Sequence, residues 1–208
     1  AFLGAHTGIT GEFTTGAARD GQGDVMAAFS SRGPGGPVIK PDITAPGVQI
    51  MAAMTPTPES ITDGPPGEYY QAIAGTSMSS PHVAGVALLL RALHPDWSPG
   101  QIKSAMMTQS RTSVVKEDTV TPADPFDMGA GRVDVGRSMR APLTISETAA
   151  NFAALTPDPV RTIDLNIPSI NAPTMPGRIS TVRTLTNVTG SKLYVQARST
   201  AGPGTSIT

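Results

Sequence analysis

Residues 74–85 read Ala-Gly-Thr-Ser-Met-Ser-Ser-Pro-His-Val-Ala-Gly. The run just before them, residues 69–74, is rich in β-forming residues, and Gly75 ends it. A helix is predicted to begin at or just after Ser77, which places the Ser77 hydroxyl among the unpaired backbone N–H groups of a helix start. Such a position stabilises negative charge, including the oxyanion that forms when a serine attacks an acyl group.

The serines of this stretch have two interpretations. Ser77 is either a nucleophile in acyl transfer, or Ser77, Ser79 or Ser80 only caps the helix by accepting a backbone N–H bond. For an arbitrary Gly-Thr-Ser the cap is the ordinary interpretation. The Gly-x-Ser-x-Gly elbow of another hydrolase class is not satisfied, because Ser79 stands where its closing glycine would be.

Helical periodicity follows this stretch. Apolar residues recur every three or four positions over residues 77–93 and predict a mostly buried helix. Ser98, Pro99 and Gln101 then form an N-terminal capping pattern and predict a second helix. The residues expected to face inward are Val83, Val86, Ala87, Leu90 and Leu93 in the first helix, and Ile102, Ala105 and Met106 in the second.

The flanking segments favour β-structure and loops. Residues 38–39 and 48–53 are predicted strands, and the proline-rich residues 55–67 a surface loop. Beyond Pro142 the chain alternates Thr, Ile and Val, as in residues 178–188 and 192–198. This change of character predicts a boundary between one domain at 1–141 and a separate β-domain at 142–208.

Residues 74–85 resemble, almost letter for letter, the nucleophile segment of subtilisin-like serine proteases. The resemblance continues through FSSRGP at 29–34, KPDITAPG at 40–47, HPDWSP at 94–99 and GAGRVD at 129–134. DLNIPSI at 164–170 and RTLTNV at 183–188 are similar to the fibronectin-III-like C-terminal domain of the larger, cucumisin-like subtilases. The fold class implied is α/β: the C-terminal part of a parallel-sheet catalytic domain, followed by part of an all-β sandwich.

The resemblance implies that Ser77 is the catalytic nucleophile of a serine endopeptidase. Gly75 and Thr76 are expected to line the substrate side of the nucleophile loop, because close backbone approach to a peptide favours a residue without a side chain. The family's aspartate and histidine should precede the serine in the chain. Neither His6 nor Asp20 or Asp24 lies in a matching segment, and no segment supplies the oxyanion-hole asparagine. We therefore expect a C-terminal fragment whose triad partners lie outside it.

Three other titratable residues are assigned structural roles. His82 follows Ser77 by five residues, an offset of about 500° on a helix, so it should lie on another face. His94, before Pro95, is predicted to end the helix. Asp42 is predicted to serve a loop or turn.

Composition excludes several classes of protein. The 208 residues carry a formal charge of −1, which gives no basis for nucleic-acid or membrane binding, and no apolar run is long enough to span a bilayer. Cysteine is absent, and no cluster of His, Asp and Glu has metal-ligand spacing, so neither a cofactor nor a metal is expected.

The chain lacks a starting Met and a signal peptide and is interpreted as an internal piece of a secreted protein. Its expected partners are protein or peptide substrates.

Two further possibilities stay open on the sequence. The chain could belong to a catalytically inactive pseudoprotease or a binding module whose β-domain makes the contacts. Asn187, Val188 and Thr189 also satisfy the N-glycosylation sequon.

Overall fold

The computed structural model of the chain describes residues 21–36, 38–60, 63–155 and 159–208. In these ranges helices and strands occur in the following chain order: β1 (Ile50–Ala53), β2 (Tyr70–Ile73), α1 (Thr76–Leu93), α2 (Pro99–Thr108), α3 (Pro125–Met128), α4 (Val135–Ser138), β3 (Leu143–Thr144), α5 (Ala149–Ala154), a 3₁₀ helix (Pro159–Asp164) and β4 (Thr186–Asn187). The mixture of helices and strands agrees with the expected α/β class.

Strands β1 and β2 form an antiparallel hairpin that leads into α1. Ile50 lies opposite Ile73 and Ala53 opposite Tyr70. The strand predicted over residues 48–53 is confirmed for its last four residues, whereas residues 38–39 form no strand. The described residues of the loop 55–67 are mostly exposed, as predicted.

Helix α1 begins at Thr76, one residue before the earliest predicted start, and ends at Leu93 as predicted. Its burial differs from the prediction: only Val86 and Leu90 are fully buried, while Leu88 is 70% exposed and Leu89 51% exposed. The periodicity identified the helix correctly, but described neighbours pack against one side of it only. The prediction of a mostly buried helix was therefore wrong for this chain.

Helix α2 forms as its capping pattern predicts. The Ser98 hydroxyl accepts the Gln101 N–H at 3.2 Å, and the Gln101 side-chain oxygen accepts the Ser98 N–H at 2.9 Å. Ile102, Ala105 and Met106 are buried, as expected. The main core lies between α1, α2 and the segment after α3, and its buried members are Val86, Leu90, Trp97, Ile102, Ala105, Met106, Val133 and Ala141.

A parallel contact holds residues 42–44 against residues 130–133. Thr44 donates its N–H to the Gly131 carbonyl and accepts the Val133 N–H, both at 2.9 Å. Gly129 has φ 63°, and its backbone lies so close to residues 41–42 that a Cβ there would be 2.4 Å from the Pro41 carbonyl oxygen. Parallel pairing occurs only as single-residue bridges in the described part of the chain, whereas its two small sheets are antiparallel.

The segment beyond Pro142 contains little regular β-structure. β3 pairs antiparallel with β4, two residues on each side, and Thr144 and Ile145 are buried near α2. Residues 178–185 and 192–198 are not strands. The alternation of Thr, Ile and Val indicates β-propensity, but strands need partners to pair with, and the described residues supply none for these two runs. The predicted boundary at 141/142 stays a prediction.

No helix in the described ranges is both long enough and apolar enough to cross a membrane.

Candidate active site

Ser77 stands in the first turn of α1 and is exposed. The turn before it is fixed by two backbone bonds: Gly75 donates its N–H to the Gly47 carbonyl at 2.8 Å, and Met78 donates to the Gly75 carbonyl at 3.0 Å. Gly75 is extended, with φ 168°, and acts as the N-cap without any side-chain hydrogen bond. None of the three serines therefore caps α1, because the residue at the N-cap position is Gly75 and no side chain accepts a bond there.

The helix start favours negative charge near Ser77. The N–H groups of Thr76 and Ser77 precede the first intrahelical bonds, and no acidic residue lies in the first turn of α1. Pro81 lies inside the helix and has no N–H to donate to the Ser77 carbonyl four residues earlier. The Thr76 and Ser77 N–H groups therefore have no intrahelical partner beside the exposed Ser77 hydroxyl, and the absence of an N–H on Pro81 leaves the Ser77 carbonyl without its usual helical donor.

His82 bonds to the backbone rather than to Ser77. Its ring Nδ1–H donates to the Met78 carbonyl at 2.7 Å, since a carbonyl can only accept. The imidazole is half-buried. This geometry agrees with the structural role expected for His82.

His94 and Asp42 lie in scaffold contacts. His94 ends α1 and stacks on Trp97 with ring centroids 3.8 Å apart. Asp42 pairs with Lys40 and, at 2.7 Å, with Lys103 of α2. Burial opposes ionisation, but the bonds from Lys103 and Lys40 outweigh it and hold the pKa of the Asp42 carboxyl below its usual range.

Among the described residues, no histidine or carboxylate is hydrogen-bonded to Ser77. Asp24 pairs with Arg132 instead. His6 and Asp20 lie outside the described residues.

A cavity of about 700 Å³ opens beside the start of α1. From α1 it is lined by Thr76, Ser79, Ser80 and Val83, and its other lining residues include 22–27, 29–31 and 43–48. Thr76 thus lies at a concave surface, whereas Gly75 is held against Gly47. The placement of both residues toward a substrate stays a prediction. The sequence offered Ser79 only as a possible helix cap and did not single out Gly47, although Gly47 stands in the quoted segment 40–47.

A group of ion pairs, called here the Asp127 cluster, lies outside the cavity lining; it comprises Arg32, Lys116, Glu117, Asp124 and Asp127. The Asp127 carboxylate is buried and accepts from Arg32 and, at 3.0 Å, from Lys116. Burial favours the neutral acid, but the Asp124 backbone N–H, Lys116 and Arg32 outweigh it and lower the pKa of Asp127 to about 2. Because Arg32 also bonds Glu117 at 2.8 Å, the segment at 29–33 is tied to residues 116–127. Nothing in the sequence pattern predicted this cluster.

The described residues contain no group of three or more His, Asp or Glu placed to hold a metal ion.

Ser77 is thus an exposed serine at a helix start, reached from strand β2 through Gly75, in a chain of the α/β class. A sequence profile of the subtilase family matches residues 3–131, more than half of the chain. The chain belongs to the subtilase family, which confirms the resemblance to subtilisin-like proteases; the resemblance of residues 164–188 to a fibronectin-III-like domain stays a prediction.

Curated relatives agree with this assignment. The subtilisin-like protease SBT1.6 of Arabidopsis thaliana is 36% identical over 222 residues, which cover 88% of this chain and 29% of the relative. The CO(2)-response secreted protease of the same plant is 41% identical over 136 residues, covering 61% of this chain and 18% of the relative. The chain spans less than a third of the length of these relatives.

One solved structure is similar over part of the chain. Fervidolysin from Fervidobacterium pennivorans, a keratinolytic enzyme related to subtilisin, shares 29% sequence identity with a TM-score of 0.42. The match covers 56% of this chain and 17% of fervidolysin.

Proposed function

We propose that this chain carries the nucleophile of a subtilisin-like serine endopeptidase and that Ser77 is that nucleophile. The observation that carries the proposal is the exposed Ser77 hydroxyl in the first turn of α1, beside backbone N–H groups that have no helical partner. Membership of the subtilase family supports the reaction class.

The chemistry follows from this position. Ser77 Oγ attacks the carbonyl carbon of a peptide bond, and its proton passes to a histidine base. The negative charge that develops on the carbonyl oxygen is stabilised by the first-turn N–H groups, which are already oriented before the reaction. Gly75 and Thr76 border the bound peptide. We place the histidine and the aspartate that orients it outside the part of the chain that the structure describes, where no histidine or carboxylate is hydrogen-bonded to Ser77; His6 and Asp20 do not lie in matching segments.

The substrates of the proposed enzyme are proteins or peptides, and its location is extracellular. Support for the location comes from one relative, whose name describes a secreted protease.

We propose that residues 142–208 are part of a fibronectin-III-like β-domain, and the support is the two motifs at 164–170 and 183–188.

A second candidate is a non-catalytic relative that binds proteins. The observation that favours it is that no described histidine or carboxylate bonds to Ser77. A chain without a base holds an ordinary alcohol of high pKa and cannot form an acyl-enzyme at a useful rate.

A serine-directed fluorophosphonate distinguishes the two candidates. In a longer protein that contains this chain together with the histidine and the aspartate, we expect stoichiometric labelling of Ser77, located by peptide mass spectrometry, together with peptide hydrolysis. Ser77→Ala should lose both, while Ser80→Ala, an exposed serine of the same helix, should keep both. The 208-residue chain alone should stay unlabelled, since loss of the triad costs about 10⁶-fold in turnover in subtilisin itself, a member of this family. A longer protein that carries both partners and yet remains unlabelled would favour the binding role.

A further inference from the structure

Gly47 lies against the turn that carries Ser77. Its carbonyl accepts the Gly75 N–H at 2.8 Å, and the Gly75 carbonyl accepts the Met78 N–H at 3.0 Å. The two bonds involve the residues on either side of the Thr76–Ser77 pair. Through these two backbone bonds, the position of Ser77 Oγ depends on a loop about 30 residues earlier in the chain.

The contact leaves no room for a side chain at position 47. A Cβ on Gly47 would lie 2.2 Å from Ser79 Oγ and 2.8 Å from the Gly75 carbonyl oxygen. The φ angle of Gly47 lies outside the left-handed region, so glycine is required here by space rather than by backbone conformation. The two atoms that would be displaced belong to the residues two before and two after Ser77.

We propose that Gly47 is a positioning residue for the nucleophile: the absence of its side chain allows its backbone to support the turn at Gly75 and so fixes where the Ser77 hydroxyl lies. This inference rests on the proposed function, because it assigns a role in that same reaction. A side chain at position 47 must push either Ser79 or the Gly75 peptide, and both movements shift the first turn of α1. Misplacement of a reacting group by about 1 Å costs on the order of 10²-fold in rate.

Gly47→Ala in the longer protein tests the proposal. We expect kcat per folded molecule to fall about 10²-fold, with KM changing much less, because the alanine misplaces the nucleophile rather than the substrate. The matched control is Gly100→Ala at the start of α2, where a Cβ would lie 2.8 Å from Ser146 Oγ and 3.3 Å from the Glu147 nitrogen. This control also introduces a steric conflict with a serine Oγ, a milder one, at a position 23 residues along the chain from Ser77, and should keep its kcat per folded molecule.

A second substitution provides rescue. Ser79→Ala removes the Oγ that the new Cβ would meet at 2.2 Å, so Gly47→Ala/Ser79→Ala should recover part of the lost kcat. Recovery should be incomplete, because the conflict with the Gly75 carbonyl oxygen remains. If Gly47→Ala does not fold, Ser79→Cys probes the contact from the other side with one larger atom, and kcat should fall several-fold. The proposal is overturned if a folded Gly47→Ala or Ser79→Cys protein keeps the wild-type kcat, or if Gly100→Ala loses as much as Gly47→Ala.

Hydrogen exchange separates this inference from the proposed function. The Gly75 amide, which donates to Gly47, should exchange faster in Gly47→Ala than in wild type, and should be unchanged in Gly100→Ala. A wild-type protein without peptidase activity would refute the proposed function, yet the exchange experiment would still test the contact. Unchanged Gly75 exchange in a folded Gly47→Ala protein would overturn the positioning role in either case.

Discussion

At the scale of single residues, Ser77 and His82 lie five positions apart on α1 and have different surroundings. Ser77 is exposed beside free backbone donors, whereas the half-buried His82 ring donates to the Met78 carbonyl. A general base for Ser77 must place a ring nitrogen or a carboxylate oxygen within hydrogen-bond distance of the Ser77 hydroxyl. The ring of His82 uses Nδ1 for a contact within its own helix, which is a scaffold role.

Replacement of His82 tests that role. His82→Ala in the longer protein should lower the free energy of unfolding by about 1–3 kcal/mol and leave turnover per folded molecule near wild type. His82→Asn, whose amide N–H can replace the ring donor, should recover part of the stability. Urea unfolding and active-site-normalised hydrolysis measure the two effects. If folded His82→Ala lost as much turnover as Ser77→Ala, the base would have to be sought on α1.

Asp127 predicts a pH dependence of stability. Its pKa is lowered to about 2 in the folded chain from an ordinary 3.8, so its contribution is fully present above the unfolded value and is lost as the pH falls through the folded value. Asp127→Asn should destabilise the longer protein by about 2 kcal/mol at pH 7, because Lys116 and Arg32 lose a charged partner. The difference between variant and wild type should shrink between about pH 5 and pH 2. Asp63→Asn, in an exposed loop position, is the control for urea unfolding at each pH. A difference that stayed constant down to pH 2 would contradict the assignment.

At the scale of elements, the N-termini of α1 and α2 are formed by different interactions. α1 starts at Gly75 with no side-chain cap, which leaves its first-turn donors free for a ligand. α2 starts at Ser98 with a complete capping box. The uncapped helix carries the candidate nucleophile, and the capped helix supplies the core beneath it.

The capping box of α2 can be tested separately from the site. Ser98→Ala in the longer protein should lower stability by about 1 kcal/mol, and Ser98→Asp should restore most of it, because a carboxylate also accepts the Gln101 N–H. Thermal unfolding measures both changes, and peptide hydrolysis per folded molecule should be unaffected. Equal loss in Ser98→Ala and Ser98→Asp would mean that the cap is not the source of the stability.

At the scale of the whole molecule, apolar surface remains uncovered on α1 and on the β1–β2 hairpin. Leu88 is 70% exposed, and Tyr69 and Tyr70 are 64% and 67% exposed. Surfaces of this kind mark contacts with further protein, and an open strand edge adds to them.

The isolated 208-residue chain should therefore aggregate or remain partly molten. Calorimetry should show a broad transition without a sharp heat-absorption peak, and the chain should bind 8-anilinonaphthalene-1-sulfonate, which reports exposed apolar surface. The control is a longer protein with further subtilase segments, in which we expect α1 to be covered and the transition to be sharp. A monomeric 208-residue sample with a sharp cooperative transition would refute this expectation.

The sequence by itself determined the features that depend on neighbouring residues. The spacing of apolar residues predicted α1 and α2, the pattern Ser98-Pro99-x-Gln101 predicted the capping box, and residues 74–85 identified the family. These signals are local, since helix periodicity and capping act over three or four positions.

Only the tertiary structure decided what surrounds Ser77. The support of Gly75 by Gly47, the pairing of Thr44 with residues 131–133, and the Asp127 cluster join segments some 28 to 95 residues apart. No local pattern encodes such pairings, because they depend on how the segments pack. The same reason limits the C-terminal segment: residues 178–185 and 192–198 have the composition of strands, but a strand forms only where a partner offers its N–H and C=O groups.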